Sequence, residues 1–169
     1  TEYDDLAAAF GTRDLDRILS FRTAEFETFG PQGQHDDYAR MAEYTRFWLQ
    51  NNKAIKVQFA IQSVELSSPD VALVRVVQRA ARDQEIGGSV RRVEHEVRQR
   101  EKWVRTAQGW KLRMVDQIDL ANRKRWVDGV LQPAGSGGGT AAPVPVTDME
   151  QAVRTLEREW LDAYEKRDA

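Results

Sequence analysis

The stretch that most constrains the fold runs from Val93 to Asp119 and contains two alternating runs joined by a short turn at 107–109. Side chains of a strand point to opposite faces in turn, so every second residue shares a face. In the first run, one face carries only the charged residues Glu94, Glu96, Arg98, Arg100 and Lys102. The other face carries Val93, His95, Val97, Gln99, Glu101 and Trp103. Because the charged face must be solvated or paired across strands, the sequence predicts a long β-hairpin whose other, inner face meets the core and lines a pocket.

The returning run supplies the second strand of this hairpin, with the apolar side chains Trp110, Leu112, Met114 and Ile118. Asp116 falls among them at the same spacing. If the connecting loop has an even number of residues, the apolar sets of both strands share one face. Glu101 and Asp116 would then be near neighbours on a half-buried face, with His95 and Gln99 further along.

The two carboxylates are the candidate catalytic residues. Two carboxylates on one apolar face cannot both ionise at low cost, so one pKa should rise and supply a proton acceptor near neutral pH. In the functional interpretation, Glu101 or Asp116 acts as a general base while neighbouring side chains orient a ligand. In the structural alternative, Glu101 pairs with an arginine such as Arg79 or Arg113, and Asp116 lies at a wet rim. The candidate ligand-binding residues are His95, Gln99, Trp103, Trp48, Tyr38 and Met114.

The overall charge bears on which partners to expect. The 169 residues include 25 basic and 27 acidic side chains, and the formal net charge is −2. Such a balance provides no general attraction to nucleic acid or to an anionic membrane. No apolar run approaches the ~20 residues that span a bilayer, so neither nucleic acid nor a membrane is a predicted partner.

Composition also limits the chemistry. The chain has no cysteine, which excludes disulfides and thiol chemistry. Its two histidines, His35 and His95, lie far apart and give no metal-ligand spacing. We therefore expect neither a metal site nor another cofactor.

Periodicity along the chain predicts helices first and strands afterwards, because apolar residues recur at spacings of three and four near the start and of two later on. In chain order, the predicted elements are a helix over 3–10, a short helix from Asp14, a short strand over 25–29, a helix from 36–37 to 51–52, strands from Ile55 and over 71–82, the hairpin, and a short helix over 120–130.

The last part of the chain has a different character. Residues 132–146 are dominated by glycine, alanine and proline, so they are predicted to be a flexible linker. After a capping-box pattern at 147–150, an amphipathic helix is predicted to the end of the chain. Its apolar face carries Val153, Leu156, Trp160, Ala163 and Tyr164. Because such a helix is marginal alone in water, it must pack on something.

This C-terminal helix resembles the first helix of the same chain. Residues 163–169 align with 9–15 without a gap and match the small residue, the aromatic residue and the Arg-Asp pair. In that register Thr1 falls opposite Thr155, so the first helix lacks about two turns relative to the second. We expect a fragment of a tandem protein whose extra helix docks on the first domain or on a neighbouring chain; the alternative is a chance match.

Three segments carry a resemblance to a known family: 10–16 with the sequence FGTRDLD, 101–105 with EKWVR, and 109–112 with GWKL. With the order of helices and strands, they resemble the nuclear transport factor 2-like superfamily, above all its polyketide-cyclase and ketosteroid-isomerase relatives. The resemblance implies an α+β fold over residues 1–131, in which a curved antiparallel sheet wraps around N-terminal helices as a cystatin-like cone. Isomerase-type members use an aspartate base and an oxyanion hole of tyrosine and protonated aspartate. This chain departs from that pattern because its strand region has no tyrosine.

Three functions are open at this point. The first is a non-catalytic domain that binds a small, largely apolar molecule inside the cone. The second is an isomerase or cyclase with a carboxylate base, and the fold alone does not choose between these two because many activities share it. The third is an association module, in which the sheet and the C-terminal helix form the contacts of a homodimer.

Overall fold

The computed structural model describes residues 1–30, 33–116 and 123–133. Within them the helices are α1 (Glu2–Thr12), α2 (Leu15–Ser20) and α3 (Tyr38–Asn51). The strands are β1 (Arg22–Phe29), β2 (His35–Asp37), β3 (Lys53–Ser68), β4 (Val71–Ile86), β5 (Ser89–Thr106), β6 (Gly109–Asp116), β7 (Lys124–Val127) and β8 (Val130–Leu131). Most of the linker predicted over 132–146 and all of the helix predicted over 147–169 lie outside the described residues.

The strands form one sheet in the order β2-β1-β6-β5-β4-β3, with β7 paired to β5 and β8 paired to β7. These strands pair antiparallel, apart from the parallel pair of β1 with β6. The sheet is open and curved, and the helices pack on one of its faces. The α+β class, with a curved sheet around N-terminal helices, is therefore as the family resemblance implied.

The predicted helix starts are confirmed at two aspartates. The side chain of Asp14 accepts a hydrogen bond from the backbone N–H of Arg17 at 2.9 Å, at the start of α2. The side chain of Asp37 accepts one from the backbone N–H of Arg40 at 3.0 Å, at the start of α3. Each bond satisfies an N–H group that the helix itself leaves free, which fixes where the helix begins.

The alternation of β5 produces the inner face that the sequence predicted. The buried side chains of this strand are Val93, Val97, Gln99, Glu101 and Trp103. They lie opposite even-numbered residues of β4, with Gln99 opposite Val76 and Glu101 opposite Val74. Trp103 and Val74 belong to a hydrophobic cluster that also includes Phe26 of β1. The inner face of the sheet therefore combines an apolar core with two buried polar side chains.

A β-bulge in β6 changes the facing of the second half of this strand. The turn between β5 and β6 has an even number of residues, and Trp103 lies opposite Leu112 on the inner face as expected. The next pair is Lys102 with Met114, which leaves Arg113 as an extra residue. One extra residue in a strand sends every later side chain to the face opposite to the one that simple alternation predicts.

The helix predicted over 120–130 is wrong for the part of it that the structure describes. Residues 124–127 form β7, which pairs with 93–96 of β5, and β8 folds back on β7. Asp128 and Gly129 form the turn between them, with φ angles of 48° and 80°. Asp-Gly is a favoured pair for such two-residue hairpin turns, so residues 124–131 form a hairpin and not the end of the predicted helix.

Candidate functional site

The centre of the candidate site is the carboxyl group of Glu101 on the inner face of the sheet. This side chain is 1% exposed. One of its oxygens, Oε1, accepts a hydrogen bond from Gln99 Nε2 at 2.6 Å. The other, Oε2, accepts bonds from Tyr3 Oη at 2.5 Å and from Trp103 Nε1 at 2.8 Å. The structure thus brings together three of the predicted site residues, Gln99, Glu101 and Trp103, and adds a tyrosine.

Tyr3 reaches this cluster from the first turn of α1. Its ring packs against the ring of Phe59 at a centroid distance of 5.1 Å and against that of Trp103 at 5.4 Å. Its hydroxyl also accepts a hydrogen bond from Trp103 Nε1 at 3.1 Å. Tyr3 therefore covers Glu101 from the helical side of the inner face.

In the helix predicted over 3–10, Tyr3 falls in an apolar stripe with Leu6, Ala7 and Phe10, and the sequence assigns it no other role. The contact with Glu101 spans 98 positions of the chain, so no local pattern reports it. The available signal was a polar hydroxyl in an otherwise apolar stripe, because a buried tyrosine hydroxyl needs a hydrogen-bond partner.

Burial dominates the electrostatics of the cluster. It raises the pKa of the Glu101 carboxyl, while the hydrogen bonds from Tyr3, Trp103 and Gln99 act in the opposite direction. Burial, followed by the negative charge of Glu101, also raises the pKa of the Tyr3 hydroxyl. A carboxyl group in this setting can accept a proton or a hydrogen bond from a neutral partner.

The structural alternative, in which Glu101 pairs with an arginine, is wrong for both arginines considered. Arg79 forms an ion pair with Glu96 at 2.7 Å, and Arg113 forms one with Glu27 at 2.8 Å. Within residues 1–30, 33–116 and 123–133, the groups that bind the Glu101 carboxyl are neutral donors. Glu101 is therefore a buried carboxyl group without an ion pair in that part of the chain.

Asp116 and Met114 do not share the face of Glu101. Because the bulge at Arg113 shifts the register, Asp116 lies opposite Arg100 and forms an ion pair with it on the outer face. Met114 lies opposite Lys102 on the same outer face. The prediction that Glu101 and Asp116 are neighbours on one face is therefore wrong, and Glu101 lies on the inner face without Asp116.

His95 and Trp48 lie toward the other end of the inner face. His95 is six residues from Glu101 along β5, a distance of about 20 Å at ~3.3 Å per residue. Its Nδ1 accepts a hydrogen bond from Arg82 Nη1 at 2.8 Å. Trp48 packs edge-on against Phe10 at 6.0 Å. Arg82 also lies over the ring of Trp48 at 5.8 Å, so it links the two candidates at this end. Trp48 packs against the cluster of Leu6, Ala9 and Leu49, whereas Trp103 belongs to another one.

The environment of His95 is unfavourable for a positive charge. Burial lowers its pKa to about 3, with further lowering from the charges of Arg123, Arg82 and Arg125. The bond from Arg82 requires Nδ1 to be an acceptor, because an arginine side chain can only donate. The imidazole is therefore neutral with its proton on Nε2, which suits a structural hydrogen-bond acceptor.

Tyr38, the remaining ligand-binding candidate, lines two cavities beside β1. The larger has a volume of about 970 Å³ and lies among α2, β1 and the β5–β6 hairpin. The smaller, of about 460 Å³, lies between β1 and the start of α3. Neither cavity is lined by Glu101. Glu101 is buried, so its cluster is closed in this conformation. Tyr38 packs against the hydrophobic cluster that contains Phe26 and Trp103.

The described ranges contain no group of three or more histidine, cysteine, aspartate or glutamate side chains placed to hold a metal ion. None of the helices in those ranges is long and apolar enough to cross a bilayer.

Comparisons with known proteins identify the fold. No family model matches the chain, and no curated protein matches it by sequence. Among solved structures, a ketosteroid isomerase-like protein from Erwinia carotovora atroseptica superposes with a TM-score of 0.52 and 17% identity, over 68% of this chain and 88% of that one. A candidate dehydratase of the nuclear transport factor 2-like family from Streptomyces avermitilis superposes with a TM-score of 0.54 and 16% identity, over 68% of this chain and 88% of that one.

A third match is a candidate calcium/calmodulin-dependent protein kinase II association domain from Xanthomonas campestris. It gives a TM-score of 0.54 and 14% identity, over 69% of this chain and 83% of that one. At such identities the matches establish the fold alone. The chain has the nuclear transport factor 2-like fold, as its resemblance to that superfamily implied.

Proposed function

We propose that the chain is a small-molecule-binding domain in which Glu101 accepts a hydrogen bond from a neutral, largely apolar ligand. The supporting observation is a buried carboxyl group held by neutral donors. Removing a carboxylate from water costs several kcal/mol, and an apolar side chain of similar size often gives a more stable core. A buried acid with a raised pKa is a typical feature of functional sites.

Tyr3 indicates how a ligand would enter. Its phenol ring lies between Phe59 and Trp103, and its hydroxyl donates to Glu101. The first turn of a helix opens more easily than the core, so Tyr3 can leave at modest cost. An aromatic ligand with one hydroxyl would then occupy the same position, with its ring between Phe59 and Trp103 and its hydroxyl on Glu101.

An isomerase or cyclase is the alternative at the same site. With its raised pKa, Glu101 could take a proton from a carbon acid held between Phe59 and Trp103. Asp116, the second base considered from the sequence, lies on the outer face beside Arg100. A catalytic role would therefore rest on Glu101 alone. Turnover of steroid or polyketide-like substrates that disappears in Glu101→Gln, while Asp116→Asn retains it, would support the alternative.

The binding proposal is tested with 2-naphthol, a neutral aromatic probe with one hydroxyl, and with 2-methoxynaphthalene, which cannot donate. We expect the wild-type chain to bind 2-naphthol and Tyr3→Ala to bind it more tightly, since the ring position is then vacant. The methoxy compound should bind about tenfold more weakly, because it leaves the acceptor unpaired (~1.4 kcal/mol). The readouts are fluorescence titration and the ligand-induced shift of Tm.

The control for this test is Tyr44→Ala, which removes an exposed tyrosine of α3. It should bind both probes as the wild-type chain does. Equal affinity of Tyr3→Ala for the two probes would contradict a role for Glu101 as acceptor. Binding to Tyr3→Ala without any binding to the wild-type chain would show that Tyr3 is a permanent part of the core.

A second candidate function, association, is favoured by an uncovered apolar strip on β3. Ile61, Val64 and Leu66 are 50%, 57% and 64% exposed. They lie opposite Val76, Val74 and Ala72 of β4, whose side chains are buried on the inner face. The strip therefore continues the inner face beyond the area that the helices cover, on the edge strand of the sheet. Contiguous exposed apolar residues of this kind mark contact surfaces.

The position of α1 explains why the strip is uncovered. Gly11, near its C-terminal end, lies beside the backbone of Ile55, and Tyr3, in its first turn, packs on Phe59. The helix therefore runs along β3 and begins where the strip starts. We propose that the amphipathic segment 147–169 covers the strip, from the same chain or from a second copy in a homodimer. Its apolar residues match the character of the surface.

Light scattering of the full chain and of a chain that ends at Leu131 tests this candidate. If the segment docks on a second copy, the full chain should be a dimer and the shortened chain a monomer. If it docks within the same chain, both should be monomers and the shortened chain should have the lower Tm. Equal masses together with equal Tm values would remove the segment from any packing role.

A further inference from the structure

We propose a second binding site, for a small organic anion, in the cavity of about 970 Å³ among α2, β1 and the β5–β6 hairpin. This site is separate from the Glu101 cluster and does not depend on the function proposed for it. The observations that carry it are the charge of the lining, a buried arginine and a buried hydroxyl.

The lining of this cavity carries an excess of positive charge. It includes the four cationic side chains of Arg22, Lys102, Lys111 and Arg113, but only the two carboxylates of Asp16 and Glu25. Arg113 is paired with Glu27, which lies outside the cavity lining. The other three cations form no ion pair with a carboxylate in the described part of the chain. Lys111 donates a hydrogen bond to the Ser20 carbonyl oxygen at 2.6 Å, which is a neutral acceptor, so no carboxylate in the described residues neutralises these three charges.

Arg22 is the most unusual of the four cations. Its guanidinium group lies over the ring of Phe26 at 4.7 Å and donates to two neutral oxygens, Thr45 Oγ1 at 3.2 Å and the Met41 carbonyl at 3.5 Å. Burial lowers its pKa to about 10. A buried cation without a counter-charge is costly, and an oxyanion would offset that cost. The planar fork of arginine suits carboxylate and phosphate groups.

Thr23 provides the independent observation. Its hydroxyl is buried and has no hydrogen-bond partner among the described residues, whereas buried polar groups are normally paired. Thr23 follows Arg22 in β1 and lines the same cavity. The register of β1 on β6 shifts between Arg22 and Glu27, so the ladder is interrupted at this point. Neighbouring residues of a strand face opposite sides, so a ligand oxygen in the cavity would give the Thr23 hydroxyl its partner, while the Arg22 guanidinium would act on the ligand through its charge.

The size and the remaining lining define the class of ligand. The cavity of about 970 Å³ is open to solvent and has room for an organic body beside an oxyanion. Leu19, Val71 and Val104 supply apolar surface. The fitting ligand is an organic molecule with an apolar body and a carboxylate or phosphate head group. Both head groups carry an oxyanion, and the binding experiment distinguishes the carboxylate from the phosphate.

The test measures binding of 1-naphthoate, 1-naphthyl phosphate and inorganic phosphate to the full chain by fluorescence or calorimetric titration, at constant ionic strength. We expect one or both naphthyl anions to bind at least tenfold more tightly than inorganic phosphate. The tighter of the two identifies the head group. Arg22→Gln should weaken binding by tenfold or more, and Lys102→Met by a few-fold.

Thr23→Val is the variant that separates binding from folding. It keeps the shape of the side chain and removes an unpaired hydroxyl, so the free protein should be as stable as wild type or slightly more so. Binding of the naphthyl anion should nevertheless fall several-fold. This result keeps the proposal testable even if Arg22→Gln fails to fold.

Two controls complete the design. Arg46→Gln removes an exposed cation of α3 that does not line the cavity, and Glu101→Gln alters the other site; both should bind the anion as wild type does. The proposal is overturned if neither naphthyl anion binds more tightly than inorganic phosphate, or if Arg46→Gln weakens binding as much as the cavity variants do. A loss of 2-naphthol binding alone would bear only on the Glu101 site.

Discussion

Glu101 is held on the inner face of the sheet by hydrogen bonds from neutral groups, and this sets its response to pH. Burial raises the pKa of its carboxyl above the ordinary 4.5. Between 4.5 and that raised value, the folded chain keeps a proton that the unfolded chain has released. The stabilising contribution is therefore complete below 4.5 and is lost as pH rises through the folded-state pKa.

Glu101→Gln tests this linkage. An amide of the same shape carries no charge, and Gln99 can rotate its own amide to accept a hydrogen bond. We expect the variant to gain stability relative to wild type as pH rises from 4.5, reaching about 1 kcal/mol at neutral pH. Urea unfolding of both proteins across the pH range measures this difference in stability. Asp116→Asn, at an ion pair on the outer face, should change stability by less than ~1 kcal/mol.

His95 should make the folded chain less stable in acid, whereas Glu101 makes it less stable as pH rises. Its folded-state pKa is lowered to about 3 from 6.5, so below 6.5 the unfolded chain gains a proton that the folded chain cannot hold. Stability should fall by roughly 1.4 kcal/mol per pH unit as pH drops through this window. His95→Gln should flatten that slope while keeping an acceptor for Arg82. His35→Gln, at an exposed histidine, is the matched control, and an equal effect of both variants would contradict the assignment.

The sequence predicted three members of the central cluster because Gln99, Glu101 and Trp103 alternate on one strand. Tyr3 could not be predicted in the same way, since its contact with Glu101 depends on how α1 lies across the sheet. Asp116 was placed wrongly because the bulge at Arg113 is invisible in a pattern of alternating residues.

At the scale of elements, the long, strongly periodic strands and the helices with an aspartate cap were predicted well, and the shortest strands were not. The alternation of β5 extends over a strand of 18 residues, so the pattern stays recognisable even where one residue departs from it. β2 and β7 have three and four residues, too few for a period to appear. Their conformation is set by the strands with which they pair, β1 and β5, and tertiary pairing outweighs local preference in such short segments.

Gly129→Ala tests the hairpin that replaced the predicted helix. Gly129 has a φ of 80°, a left-handed conformation that costs a residue with a side chain about 1 kcal/mol. We expect the variant to lose about this much stability, with the loss confined to β7 and β8. Hydrogen exchange of the Trp126 and Val127 amides should accelerate, while amides at the centre of β5 stay protected. Uniform acceleration throughout the sheet would contradict a local hairpin.

For the whole molecule, the distribution of exposed apolar surface points to an additional contact. The inner face is covered by α1, α2 and α3 at one end and continues uncovered through Ile61, Val64 and Leu66 at the other. The segment 147–169, for which the sequence predicts an amphipathic helix, is the proposed cover. Association and ligand binding would then use different parts of one face.

Val64→Lys examines this contact in chains of two lengths. If the segment covers Val64, the substitution should destabilise the full chain by about 1.5 kcal/mol, the contribution of a buried valine. It should have little effect on a chain that ends at Leu131, where the side chain is exposed in any case. Val90→Lys is the matched control at another exposed valine. Equal losses for Val64→Lys in both chains would argue against the contact.

The most direct test of the account is to follow the carboxyl carbon of Glu101 by NMR in a chain labelled with ¹³C at glutamate, using Glu101→Gln to assign the signal. If Glu101 is the acceptor of the ligand, this carbon titrates above the ordinary range of glutamate and shifts when 2-naphthol is added, but not when 2-methoxynaphthalene is added. An ordinary titration, or a signal that stays unchanged at saturating 2-naphthol, would contradict the claim that Glu101 is the ligand's acceptor.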